Sequence, residues 1–167
     1  MTVSVFSTSD LELVGQDWLE QLKKHAEDAP YRRARFCLHH STDEAVQEMI
    51  IAFCGDSLVP PYLHVGQNES IHIIEVRLAV IFLSNETGDA VERVDLSPPG
   101  QDGPFMYRIS GPRWHVVVPL TQYVVVHEIS KGPFVSPHDD YPPWGPTSMT
   151  EHRDFISKAV EQSLELL

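Results

Sequence analysis

The chain has 167 residues, of which 42% are hydrophobic and 22% are charged, and its formal net charge is −12. This length and composition predict one soluble globular domain with a hydrophobic core of its own. Because so acidic a surface repels phosphate groups, the charge argues against binding to nucleic acid or to anionic membranes.

The beginning of the chain, MTVSVFSTSDLELVGQ, has neither a basic start nor a long apolar run, so it predicts no signal peptide. No run approaches the roughly 18 consecutive apolar residues of a membrane-spanning helix. Cys37 and Cys54 form no CxxC pattern and are expected to be small buried side chains. We therefore expect a cytoplasmic protein.

The first region, about residues 1–56, is predicted to be helical in parts. Leucine, valine and tryptophan recur at near-helical spacing over residues 10–28. Ser41-Thr-Asp-Glu44 matches a capping box, and apolar side chains at 46, 49, 50 and 53 predict the face of a second helix. The segment ARFCLHH between them is a candidate for a short strand.

The second region, residues 57–130, is rich in β-branched and aliphatic residues. A turn at residues 85–89 separates two apolar segments and predicts a hairpin. The strand candidates in this region are residues 71–84, 90–96, 105–109, 114–120 and 123–129. Short strands joined by glycine and proline turns predict a β-sandwich or barrel.

The third region, residues 131–147, is a proline-rich arm. Five prolines between Lys131 and Pro146 exclude a regular helix or a central strand. We expect an ordered arm that lies across the sheet and is held by Phe134, Tyr141 and Trp144.

The last region, residues 148–167, predicts a helix that begins with a second capping box, Ser148-Met-Thr-Glu151. Its apolar face carries Ile156, Val160, Leu164 and Leu167. This face either packs against the domain or forms a dimer contact.

Several residues suited to bind a metal ion fall in the strand-rich region. Tyr62 and His64 are two positions apart, so they share one face of an extended segment. A turn at Gly66 would let Glu69 face the same interior from the next strand, and His115 could converge from a distant strand. Two imidazoles, a carboxylate and a phenol suit Zn, Fe, Mn or Ni. From spacing alone, the histidines could equally be hydrogen-bonded core or surface residues.

Two stretches resemble the motifs of cupins. PYLHVGQNESIHIIEV, residues 61–76, resembles the first motif, in which HxH is followed by four residues, Glu, six residues and Gly. WHVVVP, residues 114–119, resembles the second motif. More narrowly, residues 32–146 are similar to WbuC-type cupin-fold metalloproteins through RRARFCLHHSTDEAVQEMIIAF, FMYRISGPRWHVVVP and YVVVHEISKGPF, followed by PPWGP.

The resemblance implies a mainly β, single-domain cupin barrel, that is, a double-stranded β-helix or jelly roll, with N-terminal helices and a C-terminal helix. The two histidines of the first motif would fall at Tyr62 and His64, its glutamate at Glu69 and the histidine of the second motif at His115. We therefore predict a divalent metal at His64, Glu69 and His115, with Tyr62 at the metal or beside it.

Three positions depart from the cupin pattern. A neutral phenol such as Tyr62, with an unperturbed pKa of about 10, is a poor ligand. It would bind as phenolate, for example to Fe(III), or else face the substrate while water completes the site. Val76 stands where cupins usually carry glycine, and Gln67 where the WbuC type commonly has lysine.

WbuC-type proteins are associated with polysaccharide biosynthesis, so the resemblance implies a metal-dependent protein acting on a sugar or another small molecule. Tyr62 is the candidate acid or base, and Arg108 and Arg113 are candidate contacts for an anionic substrate. The alternative is a non-catalytic small-molecule-binding cupin with a degenerate metal site. A third possibility is an interaction protein that uses its last helix. Because cupins often dimerise, a homodimer is expected.

The remaining histidines are weaker candidates. His72 is three positions from Glu69, so alternation turns it to the opposite face. His127 either lines the mouth of the cavity or has a structural role, and His39 and His40 are not expected to be ligands.

Overall fold

The computed structural model describes residues 3–134 and 141–167, and these residues form two sheets and two helices. In chain order the elements are β1 (Val3–Phe6), α1 (Gln16–Asp28), β2 (Arg33–Cys37), β3 (Val46–Cys54), β4 (Glu69–Glu75), β5 (Leu78–Leu83), β6 (Ala90–Leu96), β7 (Met106–Ile109), β8 (His115–Pro119), β9 (Tyr123–Lys131) and α2 (Met149–Leu164). The prediction of a mainly β fold with helical additions is confirmed.

The strands form a larger sheet in the order β1-β2-β3-β9-β4-β7 and a smaller sheet in the order β6-β5-β8. The two sheets face each other across a core of aliphatic and aromatic side chains, which includes Ile51, Ile71, Val80, Val117 and Val126. Among the described strands, none hydrogen-bonds from one sheet to the other. The predicted barrel is therefore an open two-sheet sandwich.

The predicted second N-terminal helix is wrong, because Val46–Cys54 forms strand β3. Alternate residues of β3 are buried on both faces: Ile51 faces the smaller sheet, whereas Ile50 faces α1. A strand that is buried on both faces is apolar throughout, so its sequence lacks the alternation of apolar and polar residues by which a strand is recognised. The capping-box residue Glu44 instead closes a turn, accepting hydrogen bonds from the backbone N–H groups of His40 and Ser41.

Helix α1 covers the outer face of the larger sheet. It begins at Gln16, six residues after the predicted start, because Gly15 before it is extended. The predicted apolar residues Leu11 and Leu13 lie outside the helix and are exposed. Leu22 is buried, and the Trp18 ring stacks on Phe36 at 4.2 Å between centroids.

The predicted strand over residues 71–84 is divided in two at Val76. Val76 has a φ of 65°, a left-handed conformation that β-branched residues rarely adopt. This turn separates β4 from β5, so the glycine expected from the cupin pattern is replaced by a residue that keeps a glycine-like backbone. The predicted hairpin of β5 and β6 is confirmed by their antiparallel register.

Helix α2 covers the outer face of the smaller sheet, and its predicted capping box is confirmed, since the Ser148 side chain accepts a hydrogen bond from the Glu151 N–H. Ala159 is buried and Val160 packs beside it, whereas Leu164 is exposed. The predicted apolar stripe thus contacts the sheet through its first half. No helix among the described residues is long and apolar enough to span a membrane.

Of the predicted proline-rich arm, the structure describes residues 131–134 and 141–147, and residues 135–140 lie outside the described residues. Trp144 stacks on Phe155 at 5.8 Å, and its indole N–H donates to the Asn85 carbonyl at 3.0 Å. A side chain at Gly88 would collide with the Trp144 ring. Trp144 therefore fixes this end of the arm to the β5–β6 hairpin, which agrees with its predicted role in holding the arm.

Both cysteines are free and buried, in agreement with the sequence. Cys37 belongs to the core between the sheets, and Cys54 to the core under α1.

Candidate functional site

Glu69 lies at the centre of a group of polar side chains between the two sheets. The Tyr62 hydroxyl donates to Oε1 of Glu69 at 3.2 Å, and the Tyr107 hydroxyl donates to Oε2 at 2.9 Å. Nε2 of His115 lies 3.1 Å from Oε2, and Nε2 of His64 lies 3.4 Å from Oε1. We call these five residues the Glu69 cluster.

The cluster takes residues from both sheets and from the segment before β4. Tyr62 and His115 exchange two backbone hydrogen bonds, of 3.1 and 3.0 Å, so this segment runs beside β8. Glu69 is the first residue of β4, and Tyr107 comes from the neighbouring strand β7. Glu69 and His115 are shielded from solvent, with exposed fractions of 1% and 0%.

The environment of the cluster keeps Glu69 charged and the phenols neutral. Burial alone would raise the pKa of Glu69, but the hydrogen bond with His115 and the close contact with His64 hold it well below its usual value. Burial, together with the negative charge of Glu69, raises the pKa of Tyr62 and of Tyr107 well above the usual phenol value. Both phenols therefore remain hydrogen-bond donors.

The hydrogen bonding of His115 places a constraint on the cluster. Its Nδ1 lies 2.8 Å from the Arg113 carbonyl oxygen, which can only accept, so Nδ1 carries a proton. In a neutral ring, Nε2 would then turn its lone pair toward the Glu69 carboxylate. Because two electron-rich atoms repel each other, either a second ring proton or a bound cation must lie between them.

The second histidine of the cluster, His64, also faces Glu69. Nε2 of His64 is buried and has no hydrogen-bond partner among the described residues, although it lies near Glu69. Burial alone would lower the pKa of His64, but the contact with Glu69 outweighs it and raises the pKa. Both imidazoles thus turn an Nε2 atom toward the same carboxylate.

The four residues predicted as metal ligands, His64, Glu69, His115 and Tyr62, are brought together by the fold. Tyr62 contacts Glu69 as a hydrogen-bond donor. Across residues 3–134 and 141–167, no group of three or more His, Cys, Asp or Glu side chains stands in a ready-made metal-binding arrangement. The described contacts are those of a hydrogen-bonded cluster centred on one carboxylate.

Sequence reasoning missed Tyr107 and Glu128. Tyr107 could have been found, because alternation along the predicted strand places it on the same face as Ile109, which is buried. In the His127-Glu128 pair, His127 is the predicted candidate, but alternation with the buried Val126 turns Glu128 inward instead. Burial and then the charge of Glu69 raise the pKa of Glu128 to about 7.

The other histidines lie outside the cluster. His127 contacts Glu48 at 2.8 Å, and His72 packs against Phe105 at 5.4 Å between centroids. His72 and His127 line the same depression on the outer face of the larger sheet, as predicted for His72. His39 is buried and accepts a hydrogen bond from the Glu48 N–H.

A groove of about 490 Å³ opens beside the cluster, between β6 and β7. Its lining is mixed: Phe82 is apolar, whereas Arg108 and Arg113 are charged. Arg113 stacks on the Phe82 ring at 3.7 Å and pairs with Glu92 at 2.6 Å. Tyr107, whose hydroxyl donates to Glu69, also lines the groove.

Comparison with known proteins bears on the fold. Residues 14–96 match the model of a family described as a domain of unknown function, DUF6016. This match runs from the start of α1 to the end of β6, so it includes Tyr62, His64 and Glu69 but neither Tyr107 nor His115. No curated protein sequence matches this chain.

Solved structures share the architecture at low sequence identity. A protein from Shewanella oneidensis is 8% identical to this chain and superposes with a TM-score of 0.52. The match covers 79% of this chain and 82% of that protein. A protein from Bacillus halodurans is 11% identical, with a TM-score of 0.50 and matched shares of 79% and 89%. These similarities show the fold alone.

Cupins are among the similar structures. The cupin domain of Schizosaccharomyces pombe Cnp3 is 8% identical, with a TM-score of 0.43 and a match that covers 60% of this chain. The match spans 64% of that cupin domain, which is less than two thirds of its length.

Proposed function

We propose that this chain is a cupin-type protein of the WbuC kind, which binds a divalent metal ion at His64, Glu69 and His115 and a small molecule beside it. One observation carries the proposal. Two imidazole Nε2 atoms face one buried carboxylate, and the Nδ1 proton of His115 is already committed to the Arg113 carbonyl. A cation between these atoms would remove the repulsion of their lone pairs.

Each imidazole lies at a distance from one Glu69 oxygen that two ligands of the same metal ion can have, and the two contacts reach different oxygens of the carboxylate. Nitrogen and oxygen atoms bound about 2.1 Å from one metal are roughly 3.0 to 3.4 Å apart at octahedral to tetrahedral angles. The Nε2 atoms of His115 and His64 lie 3.1 and 3.4 Å from the Glu69 oxygens. The donor set of two imidazoles and one carboxylate suits Zn, Fe, Mn or Ni.

Tyr62 supports the site from beside the metal in this proposal. Its hydroxyl donates to Glu69, and its pKa is raised by burial, so the phenol is a poor source of phenolate. Tyr62 and Tyr107 each hold one oxygen of Glu69, which orients the carboxylate toward the imidazoles. With three protein ligands, a coordination position remains for water or for substrate.

In this proposal the small molecule binds in the groove, which adjoins the cluster at Tyr107. The groove's volume of about 490 Å³ lies in the range of small-molecule sites, and Tyr107 links its wall to Glu69. A divalent ion would polarise a substrate oxygen or activate water here. Tyr62 and Tyr107 would hold protons at their hydroxyl oxygens near the reacting group, which suits a hydroxyl-rich substrate such as a sugar in polysaccharide-related metabolism.

A metal-free binding cup is the second candidate. Both oxygens of Glu69 receive a phenol hydrogen bond, so the carboxylate has protein partners without a metal. A second proton on His115 would then complete the cluster as an ion pair with Glu69. In this version the protein binds a small molecule without catalysis.

Elemental analysis of the protein, purified without a metal-affinity tag, distinguishes the two candidates. We expect close to one metal ion per chain, lost in His115→Ala and retained in His127→Ala. His127 is a matched control because it also pairs with a glutamate, but on the outer face of the sheet. No bound metal after incubation with Fe, Mn, Ni and Zn would refute the metal site and leave the metal-free cup.

A further inference from the structure

Strand β2 turns two arginine side chains toward the space between the sheets. Arg33 and Arg35 alternate with Ala34 and Phe36, which pack under α1. Cys37, on the same face as the arginines, belongs to the core between the sheets. Both arginines are partly exposed, and because a charge withdrawn from water is costly unless it is paired, we expect an anionic partner on this face.

Arg35 has hydrogen-bonding capacity to spare. Its Nε atom is buried and has no hydrogen-bond partner among the described residues. Within residues 3–134 and 141–167, its Nη1 atom contacts the Met49 sulfur, a weak acceptor, at 3.8 Å. A guanidinium has five N–H donors in a planar fork, an arrangement that matches a carboxylate or a phosphate group.

The nearest inward-facing carboxylate on the neighbouring strands is that of Glu128, and it does little to neutralise Arg35. Glu128 pairs with Met49, which in turn pairs with Cys37 of β2. Glu128 makes no hydrogen bond or ion pair with the residues that the structure describes. Burial and the charge of Glu69 outweigh Arg35 and raise the pKa of Glu128 to about 7. Arg35 therefore lacks a close anionic partner in the described part of the chain.

Arg35 and Glu69 lie on one face of the larger sheet, because each is two positions from a residue of the core between the sheets, Cys37 and Ile71 respectively. Burial, and then the like charge of Arg35, lower the pKa of Arg33 to about 10. Arg33 is engaged in an interaction of its own, so the inference rests on Arg35. A molecule that contacts both Arg35 and the Glu69 cluster would lie within the sandwich.

We propose that Arg35 binds the oxyanion, carboxylate or phosphate, of the small molecule that the protein takes up. Glu128, which also faces the interior, would accept a hydrogen bond from a hydroxyl group of the same molecule. The substrate class is thus a hydroxylated organic acid or a phosphate ester, and a neutral sugar would leave the Arg35 donors unpaired. This inference rests on the proposed small-molecule function and names its ligand class.

Binding of simple anions to the whole protein tests the inference. Sodium malonate supplies carboxylates and sodium phosphate supplies the phosphate group, with sodium chloride at matched ionic strength as the reference. We expect at least one of the two to raise the Tm of the wild type above the chloride value. In calorimetric titration, Arg35→Met should weaken the Kd about tenfold or more, as for a lost charge-assisted hydrogen bond. The stronger probe identifies the anion.

Arg153→Met is the matched control, because Arg153 is an exposed arginine on α2. Its Kd should stay within about twofold of wild type, as expected for a distant exposed charge. If Arg35→Met does not fold, Arg35→Lys takes its place, with a Kd weakened several-fold because lysine lacks the planar fork. No stabilisation by either anion, or an unchanged Kd in the Arg35 variant, would overturn the inference.

The same titration on protein treated with EDTA separates this inference from the metal proposal. Anion binding that depends on Arg35 but not on metal supports the inference even if the metal site fails. If the protein binds metal but its anion binding does not depend on Arg35, the metal proposal stands and the inference about Arg35 is wrong.

Discussion

Nε2 of His115 and Oε2 of Glu69 lie 3.1 Å apart, and solvent reaches neither side chain. His115 comes from the smaller sheet and Glu69 from the larger one. A buried pair of this kind stabilises the fold only while both partners are present. The consequences of this contact can be measured whether a proton or a metal ion lies between the two atoms.

Removing the carboxylate should destabilise the protein severely. Glu69→Ala leaves His115 and the two phenols without their shared acceptor, so we expect a loss of about 3–5 kcal/mol in the free energy of unfolding. Urea denaturation measures this loss. Glu48→Ala is the control, because Glu48 also pairs with a histidine but is 40% exposed. It should cost less than about 1 kcal/mol. Equal losses in the two variants would contradict the role assigned to the cluster.

Substitutions of Tyr62 test whether the phenol lies on the metal or beside it. Tyr62→Phe removes only the hydroxyl, so we expect the metal content to stay near the wild-type value. Tyr62→His supplies the imidazole of the cupin pattern and should bind metal about tenfold more tightly or better, measured by competition with a chelator. Loss of metal in Tyr62→Phe would instead identify the phenol as a ligand.

The turn at Val76 should reverse the usual ranking of alanine and glycine. Both substitutions remove the two valine methyl groups, but only glycine also removes Cβ and so relieves the left-handed strain at a φ of 65°. We expect Val76→Gly to be more stable than Val76→Ala by about 1 kcal/mol in urea denaturation. At Val46, an exposed residue in a regular strand, alanine should be the more stable. The same ranking at both positions would argue against strain at Val76.

Glu128 should make stability depend on pH. Its pKa is raised to about 7 in the folded protein, from 4.5, so its protonated form is favoured by folding. Its contribution to stability is complete below about pH 4.5 and is lost as the pH rises through 7. Glu128→Gln should therefore flatten the fall in unfolding free energy between about pH 5 and 8, measured by urea denaturation at each pH. The exposed Glu161→Gln should retain the wild-type slope, and an unchanged slope in Glu128→Gln would contradict the raised pKa.

The parts of the fold that are predictable from sequence have local causes. The β5–β6 hairpin follows from the turn at residues 85–89, and the start of α2 follows from the capping box at Ser148. Strand β3 was not predictable in the same way, because both of its faces are buried and its apolar pattern fits a helix equally well. Its identity depends on pairing with β2 and β9, which are distant in sequence.

The residues of the candidate site also fall into two groups, those predictable from a sequence motif and those that depend on long-range strand pairing. The resemblance to the cupin motifs predicts His64, Glu69 and His115 as a group from the sequence. Tyr107 and Glu128 carry no motif of their own, and their inward direction depends on strand register. The hydrogen bond from His115 to the Arg113 carbonyl, which fixes the ring tautomer, depends on the backbone geometry just before β8.

Because the two sheets are not joined by strand pairing, the Glu69 cluster affects how firmly they are held together. Since no described strand pairs across the sheets, the cluster is a polar connection between layers that are otherwise held by apolar packing. A ligand that draws Glu69 and His115 together would restrict how far the layers can separate. Occupancy of the site would then slow amide hydrogen exchange in β4 and β8 together, although the two strands belong to different sheets.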